Sequence, residues 1–178
     1  MISLAEFGSL FSALNNRKEH LFRSWHFEPG MGYNDWQLWW TSPRGKRPRP
    51  HEGIDFFCYE DQLGRLHNLG TSLVPAPCDG TVVALCADFL GQSFFLLPDL
   101  PADQESLYVL AHISPHVGLG QRVRQGDAVG SVAAALGVIP PHLHVSFLLG
   151  RWGELPVELS WPALHGQRQL RFVRPFLE

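Results

Sequence analysis

The sequence predicts a mainly β protein: an antiparallel sheet or sandwich-like domain with a short helical extension at its N-terminal end. Seventeen glycines and fourteen prolines accompany a hydrophobic content of 45% in 178 residues. This composition is typical of one turn-rich β domain with a proper core. From Cys58 onward, short runs rich in Val, Phe and Leu alternate with glycine-containing turns. Near the start, by contrast, apolar residues recur at helical spacing.

The first predicted element is an amphipathic helix, whose apolar residues are Leu4, Phe7, Phe11 and Leu14. We expect this helix to dock on the core. The same segment is a poor match to a secretory signal, since it lacks a basic start and carries Glu6. The sequence contains no run of about 18 apolar residues, so no transmembrane helix is expected.

An aromatic stretch and a basic, proline-rich loop complete an N-terminal extension that we place at residues 1–50, ahead of a main domain at 51–178. The aromatic residues are Trp25, Phe27, Trp36, Trp39 and Trp40. We expect them to pack on the sheet, although Trp40 also suits a cleft edge that grips sugar. The basic loop, residues 43–50, is interpreted as solvated. Recognition of a carboxylate-bearing peptide is its alternative role.

The first histidine cluster is His51-Glu-Gly-Ile-Asp55. In a straight strand the Cα atoms of His51 and Asp55 would lie about 13 Å apart. Zinc bonds are about 2 Å long, so this span is awkward for two ligands of one ion. We therefore expect the segment to bend, with Gly53 supplying the conformational freedom.

The segments that follow are expected to be strands and turns. Asp79-Gly80 predicts a hairpin, and further strand boundaries are marked by Gly120, Gly126 and Gly130. The tail, residues 150–178, is expected to wrap the sheet with Trp152, Trp161, Phe172 and Phe176.

The second histidine cluster, His142-Leu-His144, begins a run to residue 149 that is typical of a buried strand. Because strand side chains alternate, His142 and His144 are expected on one face, about 7 Å apart. His112 stands alone between the two clusters. Taken by itself, it would more often be a hydrogen-bonded core histidine than a catalyst.

Together the clusters suggest a metal site. Imidazole and carboxylate suit zinc, and catalytic zinc keeps three protein ligands with one position open to water. His51, Asp55 and one histidine of the His142/His144 pair would supply those ligands. The two remaining histidines would then be free for acid–base or oxyanion chemistry.

The order of motifs resembles the lysostaphin-type zinc metallopeptidases, bacterial cell-wall endopeptidases that include LytM-like enzymes. After His51-Glu-Gly-Ile-Asp55 come Val74-Pro-Ala-Pro-Cys-Asp-Gly-Thr-Val-Val-Ala84 and Ala111-His-Ile-Ser114, then Gly120-Gln-Arg-Val-Arg-Gln-Gly-Asp-Ala-Val-Gly130 and Pro141-His-Leu-His-Val145. The resemblance implies that His51, Asp55 and His144 bind one zinc ion. It also implies that His112 and His142 are the catalytic pair.

Three departures from the family pattern concern the surroundings of the site. Residues 133–141 replace the usual stretch rich in glycine, serine and threonine, and residues 58–69 look like an insertion. The tyrosine frequent before the third histidine is replaced by Leu110-Ala111.

The family also includes latent relatives, in which an upstream segment plugs the site. This resemblance suggests that Asn34 or Asp35 could reach the open metal position.

The implied function is zinc-dependent hydrolysis of peptide bonds, with peptidoglycan cross-links as the substrate that the resemblance suggests. We assign the general base to His142. His112 would stabilise the oxyanion or orient the water, with exchanged roles of the two histidines as the alternative. A non-catalytic binding module of the same fold is a second possible function. A phosphocarrier resembling the sugar-transport domains of glucose-permease type is a third, although it has no use for Asp55 as a ligand.

The expected partners are a peptide or peptidoglycan substrate, and the chain is expected to be a monomer. A net charge of -3 gives no footprint for nucleic acid. The compartment is left open, because two indications conflict. The resemblance implies the cell envelope or secretion. Three cysteines without a Cys-x-x-Cys pair, Cys58, Cys78 and Cys86, favour free thiols and a reducing compartment.

Overall fold

The computed structural model describes residues 1–15, 22–99, 106–150, 159–166 and 170–177. In chain order the elements are α1 (Leu4–Leu14), β1 (Phe22–His26), β2 (Gly53–Phe56), β3 (Cys58–Asp61), β4 (Leu66–Asn68), β5 (Leu73–Pro75), β6 (Gly80–Ala87), β7 (Gln92–Pro98), β8 (Ser106–Pro115), β9 (Arg122–Val123), β10 (Ala128–Val132), β11 (Leu143–Leu149), α2 (Trp161–Gly166) and β12 (Arg171–Val173). These strands pair antiparallel with one another. The predicted mainly antiparallel β fold with an N-terminal helix is confirmed.

A large sheet carries the strand order β12-β11-β8-β7-β6-β9. Strand β11, which carries His144, is flanked on both sides. On one side it pairs with β8, where His144 lies opposite Ala111. On the other side its first half pairs with β2, where His144 lies opposite Asp55, and its second half pairs with β12. This register brings the two histidine clusters together, although about ninety positions separate them in the sequence.

Helix α1 begins with a capping box, in which Ser3 and Glu6 bond each other's backbone N–H groups. It is amphipathic as predicted, and Phe7 and Phe11 on its inner face are buried. Their rings contact Trp25 of β1, and Phe7 also contacts Phe56 of β2. The extension therefore shares one core with the strand that carries Asp55.

The apparent insertion at residues 58–69 forms the hairpin β3–β4, which joins β1 in a small three-stranded sheet. Asp61 organises its turn, because its carboxylate accepts the backbone N–H groups of Leu63 and Arg65. The same carboxylate lies 2.8 Å from Nε2 of His67. The insertion thus forms a structured hairpin.

The prediction of a hairpin at Asp79-Gly80 is wrong. Strand β5 pairs with β10, and β6 pairs with β7 and β9, so the two strands flanking this turn do not pair with each other. Gly80 is instead the first residue of β6. A Cβ atom there would collide with the carbonyl oxygen of Leu97 on β7. The glycine permits a close approach of two strands rather than a tight turn.

The cysteines and the tail complete the description. Cys58, Cys78 and Cys86 are free, and Cys58 is buried. In the tail, β12 covers the end of β11 and Phe176 enters the core, while Trp152 lies outside the described residues. Neither described helix has the length and apolar character to span a bilayer.

Candidate functional site

Three candidate ligand atoms, contributed by His51, Asp55 and His144, converge on one point. His51 Nε2 lies 3.1 Å from His144 Nδ1 and 3.1 Å from Asp55 Oδ1, and the last two atoms are 2.8 Å apart. All three side chains are buried. Tetrahedral zinc with bonds of about 2.0–2.1 Å would require edges of about 3.3 Å between its ligand atoms. The residues therefore fit a zinc ion with a slight widening of the triangle.

Gly53 contributes to this arrangement by its small size, which corrects the role expected from the sequence. It lies in β2, opposite Ser146 of β11. A Cβ atom at this position would come within 2.7 Å of His144 Nε2 and Ser146 Oγ. Glycine thus lets the two strands approach, while His51 lies before the strand and reaches the same point as Asp55 from outside it.

Each candidate histidine ligand has a partner on its other ring nitrogen. His51 Nδ1 lies 2.9 Å from the carbonyl oxygen of Gly32, which can only accept, so Nδ1 carries the proton and Nε2 is free to bind metal. His144 Nε2 lies 2.7 Å from Ser146 Oγ. When Nδ1 of His144 binds a metal, Nε2 donates to this hydroxyl. Such partners orient ligating histidines.

The second oxygen of Asp55 is occupied by residues of the N-terminal extension. Trp39 Nε1 donates to Oδ2 at 2.8 Å, and an Nη2 group of Arg47 donates to it at 3.1 Å. Oδ1 is thereby left for one metal bond. Burial opposes ionisation of Asp55, but His51, His142 and the bond from His144 together hold its pKa well below the ordinary value. The carboxylate is charged, as a metal ligand must be.

His142 lies beside the three ligand atoms, with Nε2 3.9 Å from Asp55 Oδ1. Its Nδ1 donates to the carbonyl oxygen of Pro140 at 2.9 Å, so Nε2 carries a lone pair. Trp40 stacks on the His142 ring with a centroid distance of 5.9 Å, and Trp39 contacts the same ring edge-on with a centroid distance of 5.2 Å. Burial lowers the pKa of His142 to about 4, against the opposing effect of Asp55. The ring is neutral at pH 7.

His112 is aimed into the site by a β-bulge. Opposite Ser93 of β7 stand two residues of β8, Ala111 and His112, because the register shifts between the flanking pairs. His112 has a φ of 64°, which is rare for a residue other than glycine. Bulges re-aim side chains beside functional sites. The His112 ring lies 4.8 Å from that of His142.

Asp88 holds His112 in place, and the sequence had not identified it. Its Oδ1 lies 3.0 Å from Nδ1 of His112, and its Oδ2 accepts the His112 backbone N–H at 2.9 Å. Further donors are the backbone N–H groups of Leu90 and Gly91 and the hydroxyl of Ser93. Burial opposes ionisation, but these bonds, led by the His112 side chain, hold the pKa of Asp88 below its usual range.

All five residues predicted from the sequence line one pocket of about 370 Å³: His51, Asp55, His112, His142 and His144. The extension reaches this pocket through Trp40 and Arg47. Asn34 and Asp35, the expected plug residues, are not among the residues that line this pocket. Asn34 donates its backbone N–H to His51 O, and the Asp35 carboxylate accepts the backbone N–H groups of Gly30 and Gln37.

No protein-family model and no curated protein matches the chain, whereas solved structures do. The catalytic domain of the antimicrobial peptidase lysostaphin from Staphylococcus simulans matches 80% of this chain and 88% of its own length, with a TM-score of 0.52 and 22% identity. LytU matches 81% of this chain and 87% of its own length, with a TM-score of 0.50 and 21% identity. The chain has the lysostaphin fold. Against the whole of lysostaphin, the match covers 79% of this chain but 47% of that protein, with a TM-score of 0.52 and 23% identity.

Within this lysostaphin fold, Trp161 and Arg47 also line the pocket, and the sequence analysis had not predicted them there. Trp161 of α2 places its ring 5.5 Å from that of His144 and donates Nε1 to Ser93 Oγ at 2.8 Å. Arg47 was assigned to a solvated loop. A short Asp-Phe-Leu-Gly turn after a strand is a detectable signal for Asp88, but no spacing connects Trp161 or Arg47 to the histidines.

Proposed function

We propose that this chain is a zinc-dependent endopeptidase of lysostaphin type that hydrolyses peptide bonds, with peptidoglycan cross-links as its substrate. The observation that carries the proposal is the convergence of His51 Nε2, Asp55 Oδ1 and His144 Nδ1 within 3.1 Å of one another, beside two further histidines. The fold shared with a lysostaphin catalytic domain supports it.

In this proposal His51, Asp55 and His144 hold the metal. Zinc in such a site supplies Lewis acidity, which polarises a scissile carbonyl and makes water more acidic. The protein orients these ligands through Gly32, Ser146 and the two donors on Asp55 Oδ2. Burial keeps the ring of His144 neutral, since it lowers the pKa of that histidine.

The hydrogen bonds of the two remaining histidines favour exchanging the roles expected from the sequence. His112 has an ionised carboxylate behind Nδ1, so it is suited to hold a proton on Nε2. We assign it as the general base that takes a proton from water and returns it to the leaving amine as the C–N bond breaks. His142 has only a carbonyl behind Nδ1. Its Nε2 lone pair is suited to orient the water.

The test separates ligands from catalysts. His51→Ala, Asp55→Ala and His144→Ala should lose zinc, whereas His112→Ala and His142→Ala should keep it and lose about a hundredfold or more in rate. Zinc content is measured by mass spectrometry after loading and dialysis, and rate by cleavage of a glycine-rich or cross-linked peptide. Loss of zinc from His142→Ala with retention by His144→Ala would reverse the assigned pair.

The same experiment distinguishes the alternative functions. A binding module of this fold would hold zinc without cleaving any peptide. A phosphocarrier would bind no stoichiometric metal and would keep its function in Asp55→Ala. The ionised Asp55 between His51 and His144 places a negative charge where a phosphocarrier would receive a phosphoryl group, which disfavours this alternative.

A further inference from the structure

Arg47 belongs to the basic loop of residues 43–50, but its side chain lines the pocket. Its side chain is 14% exposed, in contrast to the 39% of Arg44 on the same loop. Arg47 Nε donates to the carbonyl oxygen of Gln37, and Nη2 donates to Gly30 O and to Asp55 Oδ2, each at 3.1 Å. The guanidinium also lies 5.1 Å from the centre of the Trp40 ring. The arginine is held rigidly at the wall of the site.

One edge of this guanidinium is unused. Three of its five N–H groups are engaged, and within the described residues Nη1 has no hydrogen-bond partner. The carboxylates that line the pocket, by contrast, all have partners. Asp55 has the donors described above, Asp88 has five, and Glu52 lies 3.4 Å from Nε2 of His165. Among the described residues that line the pocket, Arg47 therefore presents a charged donor with free N–H groups.

A nearly buried cation with two free N–H groups is suited to an anion. Carboxylates are the anions that a peptide substrate carries. Only the carboxylate group of Asp55 separates the guanidinium from the metal ligand atom Oδ1. An extended peptide advances about 3.3 Å per residue, so a carboxylate bound by Arg47 would belong to a residue close to the scissile bond.

We propose that Arg47 forms a subsite for a substrate carboxylate, so that the enzyme selects peptides with a free carboxylate one or two residues from the bond it cleaves. This inference rests on the proposed peptidase function. The carboxylate belongs either to the C-terminal residue of the peptide or to an acidic side chain. Arg47 is a specificity residue in this proposal, and His112 and His142 keep their roles.

The test compares peptides that differ only in one charge. Pentaglycine is compared with pentaglycinamide, and an amidated glycine peptide with one internal Glu is compared with its Gln counterpart. For wild type we expect kcat/KM to favour the acid of at least one pair roughly ten- to hundredfold, as a charged hydrogen bond predicts. The pair that shows the preference identifies the source of the carboxylate.

The variants are Arg47→Gln, Arg47→Lys and, as a matched control on the same loop, Arg44→Gln. Arg47→Gln should reduce the acid-to-neutral ratio to about one, Arg47→Lys should keep part of it, and Arg44→Gln should leave it unchanged. The ratio compares two substrates on one variant. Any loss of metal or of Asp55 orientation therefore cancels. If Arg47→Gln does not fold, the acid-to-neutral ratios of kcat/KM for wild type and for Arg47→Lys still test the proposal.

A binding measurement separates this inference from the proposed function. Titration calorimetry of tetraglycine and tetraglycinamide, with zinc-loaded and metal-free protein, reports on the subsite without catalysis. Preferential binding of the acid that Arg47→Gln abolishes supports the subsite even if no peptide is cleaved, in which case the peptidase proposal fails alone. Cleavage without any acid preference, or a preference that survives in Arg47→Gln, overturns the subsite alone.

Discussion

Replacing Asp88 with asparagine tests whether this carboxylate positions and supports His112. The change removes the negative charge behind Nδ1, which lies 3.0 Å from Oδ1. A hydrogen bond to a charged group contributes about 1.5–3 kcal/mol, and each 1.4 kcal/mol is about a factor of ten in rate. We therefore expect Asp88→Asn to lower kcat roughly ten- to hundredfold. KM should change little, because Asp88 supports the proton acceptor rather than the substrate.

The chain offers a matched control in Asp61, another buried aspartate that accepts backbone N–H groups and lies within 2.8 Å of a histidine ring nitrogen. Asp61 organises the β3–β4 turn and does not line the pocket. Asp61→Asn should lower thermal stability with little change in kcat. Measuring kcat, KM, zinc content and melting temperature for both variants separates a catalytic effect from a general loss of stability.

A double-mutant cycle supplies the decisive readout. If Asp88 acts through His112, adding Asp88→Asn to His112→Ala should cause little further loss in kcat, since the group it supports is already absent. The reasoning is refuted if Asp88→Asn slows His112→Ala by the same factor as wild type. It is equally refuted if Asp88→Asn costs no more rate than Asp61→Asn.

Two further predictions concern metal affinity and pH. Ser146→Ala removes the hydroxyl 2.7 Å from His144 Nε2 and should weaken zinc binding about tenfold in a chelator competition. The control Ser106→Ala removes a buried hydroxyl that has no partner in the described structure and should leave affinity unchanged. For pH, the bonds to Asp88 hold its pKa below the ordinary value of about 4. The charge of Asp88 therefore stabilises the folded state fully above about pH 4, and this stabilisation is lost as the pH falls further towards the lowered pKa. In urea unfolding of metal-free protein, the gap between wild type and Asp88→Asn should therefore be full at pH 6 and narrow below about pH 4; a constant gap would contradict this.

Much of the fold followed from local pattern. The helical spacing of Phe7 and Phe11 predicted α1 and its buried face, because amphipathic periodicity records burial directly. The nearly continuous apolar run after His142 predicted β11, because such a run is typical of a buried strand. The hairpin prediction at Asp79-Gly80 failed because a glycine in a β protein can permit either a tight turn or a close approach of two strands. Here Gly80 permits the close approach of Leu97 on the neighbouring strand.

The candidate ligands His51, Asp55 and His144 were named from the resemblance of the motif order to a known family, since the residue pattern alone left the choice between His142 and His144 open. The register of the strands that carry these residues could not be predicted from the sequence. That Asp55 and Ala111 lie opposite His144 on either side depends on long-range pairing, which no local spacing encodes. The residues that position the candidate site could not be predicted for the same reason. Asp88 and Arg47 act through contacts made only after β6, β8 and the basic loop have folded together.

The N-terminal extension placed at residues 1–50 contributes several contacts to the candidate site. The extension supplies the acceptor for His51 at Gly32, the donors for Asp55 at Trp39 and Arg47, and the stacking partner of His142 at Trp40. Each of these contacts supports a candidate metal ligand or the ring of a proposed catalytic histidine. None of them occupies the position between the three ligand atoms. The extension is therefore better understood as one wall of the site than as a plug, and its residues Phe7, Phe11 and Trp25 belong to the same hydrophobic core as Phe56 of β2.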